Sequence, residues 1–327
     1  MLGRKAEPVR RLWQSSMIAL ARSERAKSWA QRSRAGMALA TRYVAGATAV
    51  DAVLAATRMR DKQGLRASLF YLGEYVNRHD LVALNVDAKI AAADALGRSG
   101  LDVHISADPT QIGYLLNPQA ARSHAFAIAE AIARASYGRP GMHVLMLDME
   151  DQTLTEATLS LHDEIRAAGL PVGITLQAYL RRTETDLKAR IAQGATVRLV
   201  KGAFAAGSDV AYTSRREIKA ASRRLIDLMF DPEAKALGFT PVIASHDDTL
   251  QAYASMRAAE AGWRRGVDYE FEMLLGIRGN LAASQAARGE RVRVYVPFGL
   301  DWWPHALRRI GESPANAWML ARGLIAR

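Results

Sequence analysis

Cysteine is absent from this chain of 327 residues. The absence excludes a disulfide framework, a thiolate metal site and a cysteine nucleophile, and it is typical of a reducing compartment. Long apolar runs are also missing, since none approaches the roughly 20 residues that a membrane span needs. The first seven residues have a basic start without an apolar segment after it, so we expect no secretory signal. We therefore expect a cytoplasmic protein.

Acidic residues are in the minority, with 33 Asp and Glu against 44 Lys and Arg and a net charge of +11. The basic excess is concentrated near the N-terminus, at Arg4, Lys5, Arg10, Arg11, Arg22, Arg25, Lys27, Arg32 and Arg34. Because no helix-turn-helix, zinc-finger or aromatic-interleaved basic motif is present, we expect no nucleic-acid partner. A solvated helix surface explains the basic segment; the alternative is peripheral contact with an acidic membrane surface or a protein partner.

Motifs for metal binding, serine hydrolysis and phosphate binding are also missing. His104 and His246 have no third ligand at a recognisable spacing, so we expect no metal. No Ser-His-Asp arrangement can be assembled, and there is no phosphate-binding loop.

Residues 1–64 are rich in Ala and Arg, and their apolar positions recur at helical spacing. We predict an N-terminal helical arm over this range. Gly46 is expected to interrupt the arm, and Thr48 is expected to cap the helix that follows.

From residue 65 to 327, strand-like apolar runs alternate with helical segments. The predicted strands are 67–72, 101–106, 143–148, 171–177, 196–201, 240–246, 269–274 and 293–297. This α/β alternation predicts a parallel sheet covered by helices, most simply closed as a (β/α)8 TIM-like barrel that folds as one unit. A doubly wound open sheet is the alternative, but the glycine-rich fingerprint expected after its first strand is missing.

Polar residues follow or interrupt these strands near their carboxyl ends, where barrel enzymes carry their chemistry. They are His104, Ser106, Asp108, Asp148, Gln177, Arg198, Lys201, Ser245, His246, Asp247 and Tyr295. Inward polar groups cost free energy unless they are paired, so we expect them to contact one another or a ligand. Arg198 and Lys201 suggest a basic lining for an anionic cofactor, although Lys201 also suits a Schiff-base lysine.

The last predicted helix carries Arg308 and Arg309, with Glu312 one turn further on. Two adjacent guanidinium groups suit the binding of a small carboxylate through several charge-assisted hydrogen bonds. A solvated helix face is the alternative explanation.

Several segments, taken in order, carry a family resemblance. They are Gln177-Ala-Tyr-Leu-Arg-Arg, Arg198-Leu-Val-Lys-Gly-Ala-Phe204, Ala244-Ser-His-Asp247, Glu270-Phe-Glu-Met-Leu-Leu-Gly-Ile, Tyr295-Val-Pro-Phe-Gly and Arg308-Arg309 followed by Glu312 and Asn316. Together they resemble the FAD-dependent proline dehydrogenase family. The resemblance covers roughly residues 28–320.

The resemblance implies a distorted (β/α)8 barrel with FAD over the strand ends. It implies hydride transfer from the carbon beside the ring nitrogen of proline to flavin N5, which gives Δ1-pyrroline-5-carboxylate, with electrons passed on to quinone. It implies that Arg308 and Arg309 hold the substrate carboxylate, that Glu312 orders them, and that Tyr295 and Leu274 pack on the substrate ring. The residues implied to contact FAD or its surroundings are Asp148, Gln177, Arg198, Lys201, Gly202, Ala203, Ser245 and His246.

Two departures from the family pattern concern the substrate. Asp108 stands where the resemblance implies an active-site lysine, and Phe204 stands where it implies a tyrosine. If Asp108 and Asp148 both face the pocket, one carboxyl pKa should rise or a cation must lie between them. Pro109 should also disturb the second strand. A relative of proline, such as hydroxyproline or an N-substituted or carrier-bound proline, is therefore an alternative substrate.

Overall fold

A computed structural model describes residues 23–73 and 76–311 of the chain. Its N-terminal helices are α1 (Glu24–Arg32), α2 (Arg34–Tyr43) and α3 (Ala49–Gln63). Thr48 caps α3 as predicted: its hydroxyl accepts the Asp51 backbone N–H at 3.2 Å, and the Asp51 carboxylate accepts the Thr48 N–H at 2.9 Å. These reciprocal bonds satisfy backbone donors that the first turn of a helix leaves unpaired.

Eight parallel strands form a closed barrel in chain order, with β8 pairing β1. The strands are β1 (Arg66–Tyr71), β2 (His104–Ala107), β3 (Val144–Leu147), β4 (Val172–Gln177), β5 (Thr196–Val200), β6 (Thr240–Ala244), β7 (Glu270–Leu274) and β8 (Val292–Phe298). The barrel prediction is confirmed and the open-sheet alternative is wrong. β2 ends two residues before Pro109, which has no N–H to donate to a sheet.

Helices connect the strands and cover the outside of the barrel, and one more helix follows β8. They are α4 (His79–Arg98), α5 (Pro118–Ser136), α6 (Thr155–Ala167), α7 (Thr183–Ala192), α8 (Arg215–Met229), α9 (Pro232–Ala236), α10 (Asp248–Glu260), α11 (Gly279–Ala287) and α12 (Trp302–Gly311). A short 3-10 helix, Gln152–Leu154, precedes α6. Within the described ranges, no helix has the length and apolar character needed to cross a bilayer.

The main apolar core lies between the outward faces of the strands and the helices. A second apolar cluster lies at the carboxyl ends of β1 and β8, where α2 and α12 pack together. It joins Tyr43 of α2 and Phe70 of β1 with Trp302 and Trp303 of α12. The N-terminal helices and the last described helix therefore border the end of the barrel where chemistry is expected.

The barrel interior is polar at two levels. At the amino ends of the strands, fully buried Arg293 of β8 bonds to Glu270 of β7 at 2.7 Å and to Asp102 at 2.7 Å. Nearer the carboxyl ends of the strands, Arg198 of β5 bonds to the carboxylates of Glu272 and Asp148. His104 lies fully buried in β2, and its pKa is lowered well below the usual range by burial and by the charges of Arg293 and Arg198. The interior thus has one buried arginine at the amino ends of the strands and another nearer their carboxyl ends, which we call the mouth of the barrel.

Candidate active site

Arg198 is the centre of the candidate site. Its side chain points into the barrel from β5, and the residue is only 2% exposed. The guanidinium binds Glu272 of β7 through two nitrogens, at 2.7 and 2.9 Å, and a third contact reaches Asp148 at 2.5 Å. Ser106 of β2 accepts a further bond at 3.0 Å. A planar five-donor group bridges four strands in this way, which an ammonium cannot reproduce.

Asp148 follows β3 and links Arg198 to the opposite wall of the barrel. One carboxylate oxygen accepts from Arg198 and from the Thr175 hydroxyl at 2.9 Å, and the other accepts from the Tyr295 hydroxyl at 2.9 Å. Three of the predicted site residues, Arg198, Asp148 and Tyr295, therefore form one connected network.

The protonation states of this network follow from its surroundings. Burial lowers the pKa of Arg198, but the carboxylates of Glu272 and Asp148 outweigh it and raise the pKa above its usual range. Burial and the charges of Asp148 and Asp108 raise the pKa of Tyr295 well above its usual range. Tyr295 therefore stays protonated, and its hydroxyl donates a hydrogen bond to Asp148. Its ring packs on Phe70 at a centroid distance of 5.1 Å and lies 5.3 Å from the Arg198 guanidinium carbon.

Gln177 ends β4 with its amide buried at the mouth. The side-chain nitrogen donates to the backbone carbonyls of Met149, at 3.1 Å, and Glu150, at 3.3 Å. The amide oxygen accepts no hydrogen bond from the described part of the protein. A buried acceptor in this position costs free energy unless a ligand donates to it.

The loop after β5 carries the predicted residues Lys201, Gly202, Ala203 and Phe204. The side chains of Lys201 and Ala203 are exposed, and Phe204 is partly buried. Gly202 has φ of 92°, and a Cβ there would lie 2.1 Å from the Tyr179 ring. Only glycine lets this segment leave the strand at such an angle and in so little space. The loop therefore places the exposed Lys201 ammonium next to the Gly202 backbone, which has no side chain to block the approach of a ligand.

Ser245 and His246 follow β6 and lie beside the end of β7. The His246 imidazole accepts the backbone N–H of Leu274 at its Nε2 atom, 3.0 Å away. Burial and the charges of Arg309 and Arg278 lower the pKa of His246 to about 4, so the ring is neutral at physiological pH. A neutral histidine here fixes the position of Leu274, the residue expected to pack on the substrate.

The paired arginines lie on α12, which borders the same end of the barrel. Arg309 is partly buried, and its positive charge contributes to the lowered pKa of His246. The Arg309 guanidinium therefore lies near the ends of β6 and β7. The backbone of Arg308 belongs to α12, but its side chain and Glu312 lie outside the described residues. The carboxylate-binding role of this group stays a prediction.

Sequence reasoning missed three side chains that hold the network in place. Glu272 pairs with Arg198, Ser68 of β1 donates to Glu272 at 2.5 Å, and Thr175 of β4 donates to Asp148. A glutamate inside an otherwise apolar strand was the available signal for Glu272. Ser68 and Thr175 gave no such signal, because serine and threonine also occur in strands without carboxylate partners.

Lys89 was also missed, and so were the contacts around Asp108. Lys89 of α4 is fully buried, and its ammonium donates to the Asn85 side chain at 3.3 Å. Asp108 starts the loop after β2 and is 9% exposed. The next residues of that loop are held by Glu150, which accepts from the Thr110 N–H at 2.9 Å and from its hydroxyl at 2.7 Å.

A family model and curated relatives match this chain over most of its length. The family model described as proline dehydrogenase matches residues 53–322. Proline dehydrogenase 1 of Bacillus subtilis (strain 168) is 32% identical over 286 residues, which cover 88% of this chain and 90% of that protein. Proline dehydrogenase of Deinococcus radiodurans is 30% identical over 292 residues, with 88% and 90% covered.

Solved structures show the same fold. Proline utilization A from Bdellovibrio bacteriovorus, inactivated by N-propargylglycine, superposes with a TM-score of 0.73 at 19% identity, covering 84% of this chain and 32% of that one. Proline utilization A from Corynebacterium freiburgense gives a TM-score of 0.66 at 23% identity, covering 96% and 34%. The chain thus spans only 32% and 34% of those two proteins, against 90% of the curated relatives.

Proposed function

Because this chain belongs to the proline dehydrogenase family, we propose that it oxidises L-proline to Δ1-pyrroline-5-carboxylate, with bound FAD as the hydride acceptor and quinone as the final electron acceptor. The buried network of Arg198, Asp148 and Tyr295 supports this proposal most directly. It presents a fixed cation and a neutral phenol at the carboxyl ends of barrel strands, where barrel enzymes bind their substrates.

The residues that would hold FAD are Gln177, Arg198, Lys201, Gly202, Ala203, Ser245 and His246. Two features suit a flavin: the Gln177 amide oxygen is a buried acceptor, and Lys201 is an exposed cation suited to the charge of a dinucleotide. When bound, the flavin supplies the redox chemistry by accepting hydride. Arg198 contributes a fixed positive charge that favours negative charge developing on such a ring, and its position is set before substrate arrives.

A second group of residues would bind the substrate. Arg309, with Arg308 and Glu312, would hold the carboxylate, while Leu274 and the Tyr295 ring would pack on the apolar part of the substrate ring. Phe204 and Asp108 would complete the pocket. Since Tyr295 stays protonated and its hydroxyl donates a hydrogen bond to Asp148, the phenol presents a neutral surface to the substrate.

A divergent flavoenzyme that acts on a proline relative is the alternative. Asp108, a buried acid near Tyr295, is the observation that favours it, because a carboxylate can accept from a substrate hydroxyl that proline lacks. Hydroxyproline is the simplest such substrate; N-substituted and carrier-bound prolines are others.

The flavin spectrum of the purified protein tests the proposal. We expect a yellow protein whose flavin absorbance bleaches under anaerobic conditions on addition of L-proline and returns on addition of a quinone. D-proline is the matched control and should leave the absorbance unchanged. Bleaching by hydroxyproline but not by L-proline would favour the alternative, and a colourless protein that binds no added FAD would contradict both.

Replacing Arg309 with methionine should raise KM for L-proline by about 10- to 100-fold and change kcat much less, as expected when a charge-assisted hydrogen bond to the substrate carboxylate is lost. Steady-state kinetics measures both constants. Arg60→Met, on the exposed surface of α3, is the matched control and should change neither. An unchanged KM in Arg309→Met would show that this guanidinium does not bind the carboxylate.

A further inference from the structure

A cavity of about 600 Å³ lies at the end of the barrel opposite the mouth. We call it the amino-end cavity, because its walls include the first residues of four successive strands, namely Val144, Val172, Thr196 and Thr240 of β3 to β6. Its volume falls within the roughly 300–1,000 Å³ that is typical of small-molecule sites. None of its lining residues belongs to the candidate active site.

The base of the amino-end cavity carries two threonines. Residues two apart in a strand point to the same side, so Thr196 points into the barrel as Arg198 does. Thr240 pairs with Thr196 in the sheet, just as Val242 pairs with Arg198, and it therefore points inward too. Both threonines are partly exposed. Their hydroxyls can donate hydrogen bonds to an oxyanion in the cavity.

Aromatic side chains form another part of the wall. Phe239 and Trp263 line the cavity and are largely buried. The Trp263 indole is fixed in place, since its Nε1 donates to the Phe230 carbonyl at 3.1 Å. An apolar wall beside a few polar groups is typical of sites for small organic molecules and does not suit a bare inorganic ion.

Arg291, which precedes β8, is a weakly paired cation on the cavity wall. Its ion pair with Glu270 is long, at 3.6 Å, and its Nε is buried with no hydrogen-bond partner in the described ranges. Both Glu270 oxygens already accept from Arg293, at 2.7 and 3.1 Å. Burial lowers the pKa of Arg291 below its usual range, Glu270 opposes this, and Arg66 and Arg293 add to it. A further anion near Arg291 would therefore be stabilised.

Two other walls add positive charge. Lys235 of α9 and Arg166 of α6 line the cavity, and Arg166 donates to the Gln193 carbonyl. Among the described residues that line it, Asp268 is the one acid. Its carboxylate already accepts from Lys235 at 3.0 Å and from two nitrogens of Arg264 at 2.9 and 3.1 Å. Cations thus outnumber carboxylates around the cavity, and they come from different walls.

We propose that the amino-end cavity binds a small organic polyanion, the chemistry shared by phosphate esters and polycarboxylates. The anionic groups pair with Arg291, Lys235 and Arg166 on three walls, the threonine hydroxyls donate to them, and the two aromatic rings contact the carbon skeleton. A ligand with several negative charges is required because these cations are spread around the cavity. The proposal does not depend on proline oxidation.

Isothermal titration calorimetry of the purified protein tests the proposal with two probes, citrate for the polycarboxylates and fructose 1,6-bisphosphate for the phosphate esters. We expect saturable binding of at least one probe, and the one that binds identifies the source of the charge. At ten times its Kd, the bound probe should raise the melting temperature by about 2 °C. Sodium chloride at equal ionic strength should not. No saturable binding of either probe at millimolar concentrations would overturn the proposal.

Variants locate the binding. Arg291→Met should weaken it about tenfold or more, as expected when a charge-assisted hydrogen bond is lost. Lys235→Met, on another wall, should act in the same direction and serves if Arg291→Met does not fold. Arg60→Met, on the exposed surface of α3 and outside the cavity, is the matched control and should bind as wild type does. Wild-type affinity in both cavity variants would mean that the probe binds elsewhere, which would overturn the proposal. Because the readout is binding, a failure of the proposed function would leave these results unchanged.

Discussion

Replacing Arg198 with methionine should lower kcat/KM for L-proline by about 10²- to 10³-fold, the effect typical of removing one preorganised electrostatic group from an active site. The loss is expected because Arg198 bridges Asp148 and Glu272, and without it these two carboxylates would face each other in a buried site. Tyr295 would also lose the fixed orientation of its acceptor, Asp148. Steady-state kinetics with flavin content measured on each preparation separates lost turnover from lost cofactor.

Two further variants control this experiment. Arg198→Lys keeps the positive charge but cannot bind Glu272 through two nitrogens and Asp148 through a third, so its activity should fall between wild type and Arg198→Met. Arg264→Met removes an exposed arginine and should leave kcat/KM unchanged. Full activity in Arg198→Met, with a normal flavin content, would rule out a role for this guanidinium.

Arg293→Met should lower the free energy of unfolding by about 3–5 kcal/mol, the usual result of removing one partner from a buried ion pair. Arg293 is 0% exposed, binds Glu270 through two nitrogens at 2.7 and 3.1 Å, and also donates to Asp102 and to the Ala67 carbonyl, each at 2.7 Å. Methionine would leave the fully buried Glu270 without its main partner. Denaturant unfolding of the purified protein measures the change.

Arg264→Met is again the matched control, and it should leave the free energy of unfolding nearly unchanged because Arg264 is exposed and solvent screens its pair with Asp268. Comparing Arg293→Met with Arg198→Met tests whether the two levels of the barrel interior have different roles. Arg293 lies at the amino ends of the strands, away from the proposed substrate, so its loss should affect stability much more than turnover of the folded enzyme. A large loss of kcat/KM at unchanged stability would contradict this division.

The barrel was predictable because its strands are buried on both sides and therefore read as short apolar runs between helical segments. All eight predicted runs overlap an observed strand, with boundaries that differ by up to three residues. Asp148, Gln177 and Tyr295 were also predictable, since a polar residue near the carboxyl end of a barrel strand has few places to point other than the mouth.

The partners of these residues were much less predictable. Glu272 lies 74 positions from Arg198 in the sequence, and Tyr295 lies 147 from Asp148. Spacing along the chain carries no information about such pairs. Lys89 left a weak signal as a charged member of an apolar helical stripe, but such a stripe shows only that a residue faces inward and not which groups it contacts.

The sequence by itself determined the order of strands and helices, the cap at Thr48, and the resemblance from which the proposed chemistry follows. These properties depend on local periodicity, backbone preference and motif order, which are written along the chain. Only the tertiary structure decided that Arg198 joins Asp148 to Glu272 and that the Tyr295 hydroxyl donates to Asp148. Barrel closure brings distant strands and helices together, and the charge balance of a buried site is a property of that assembly.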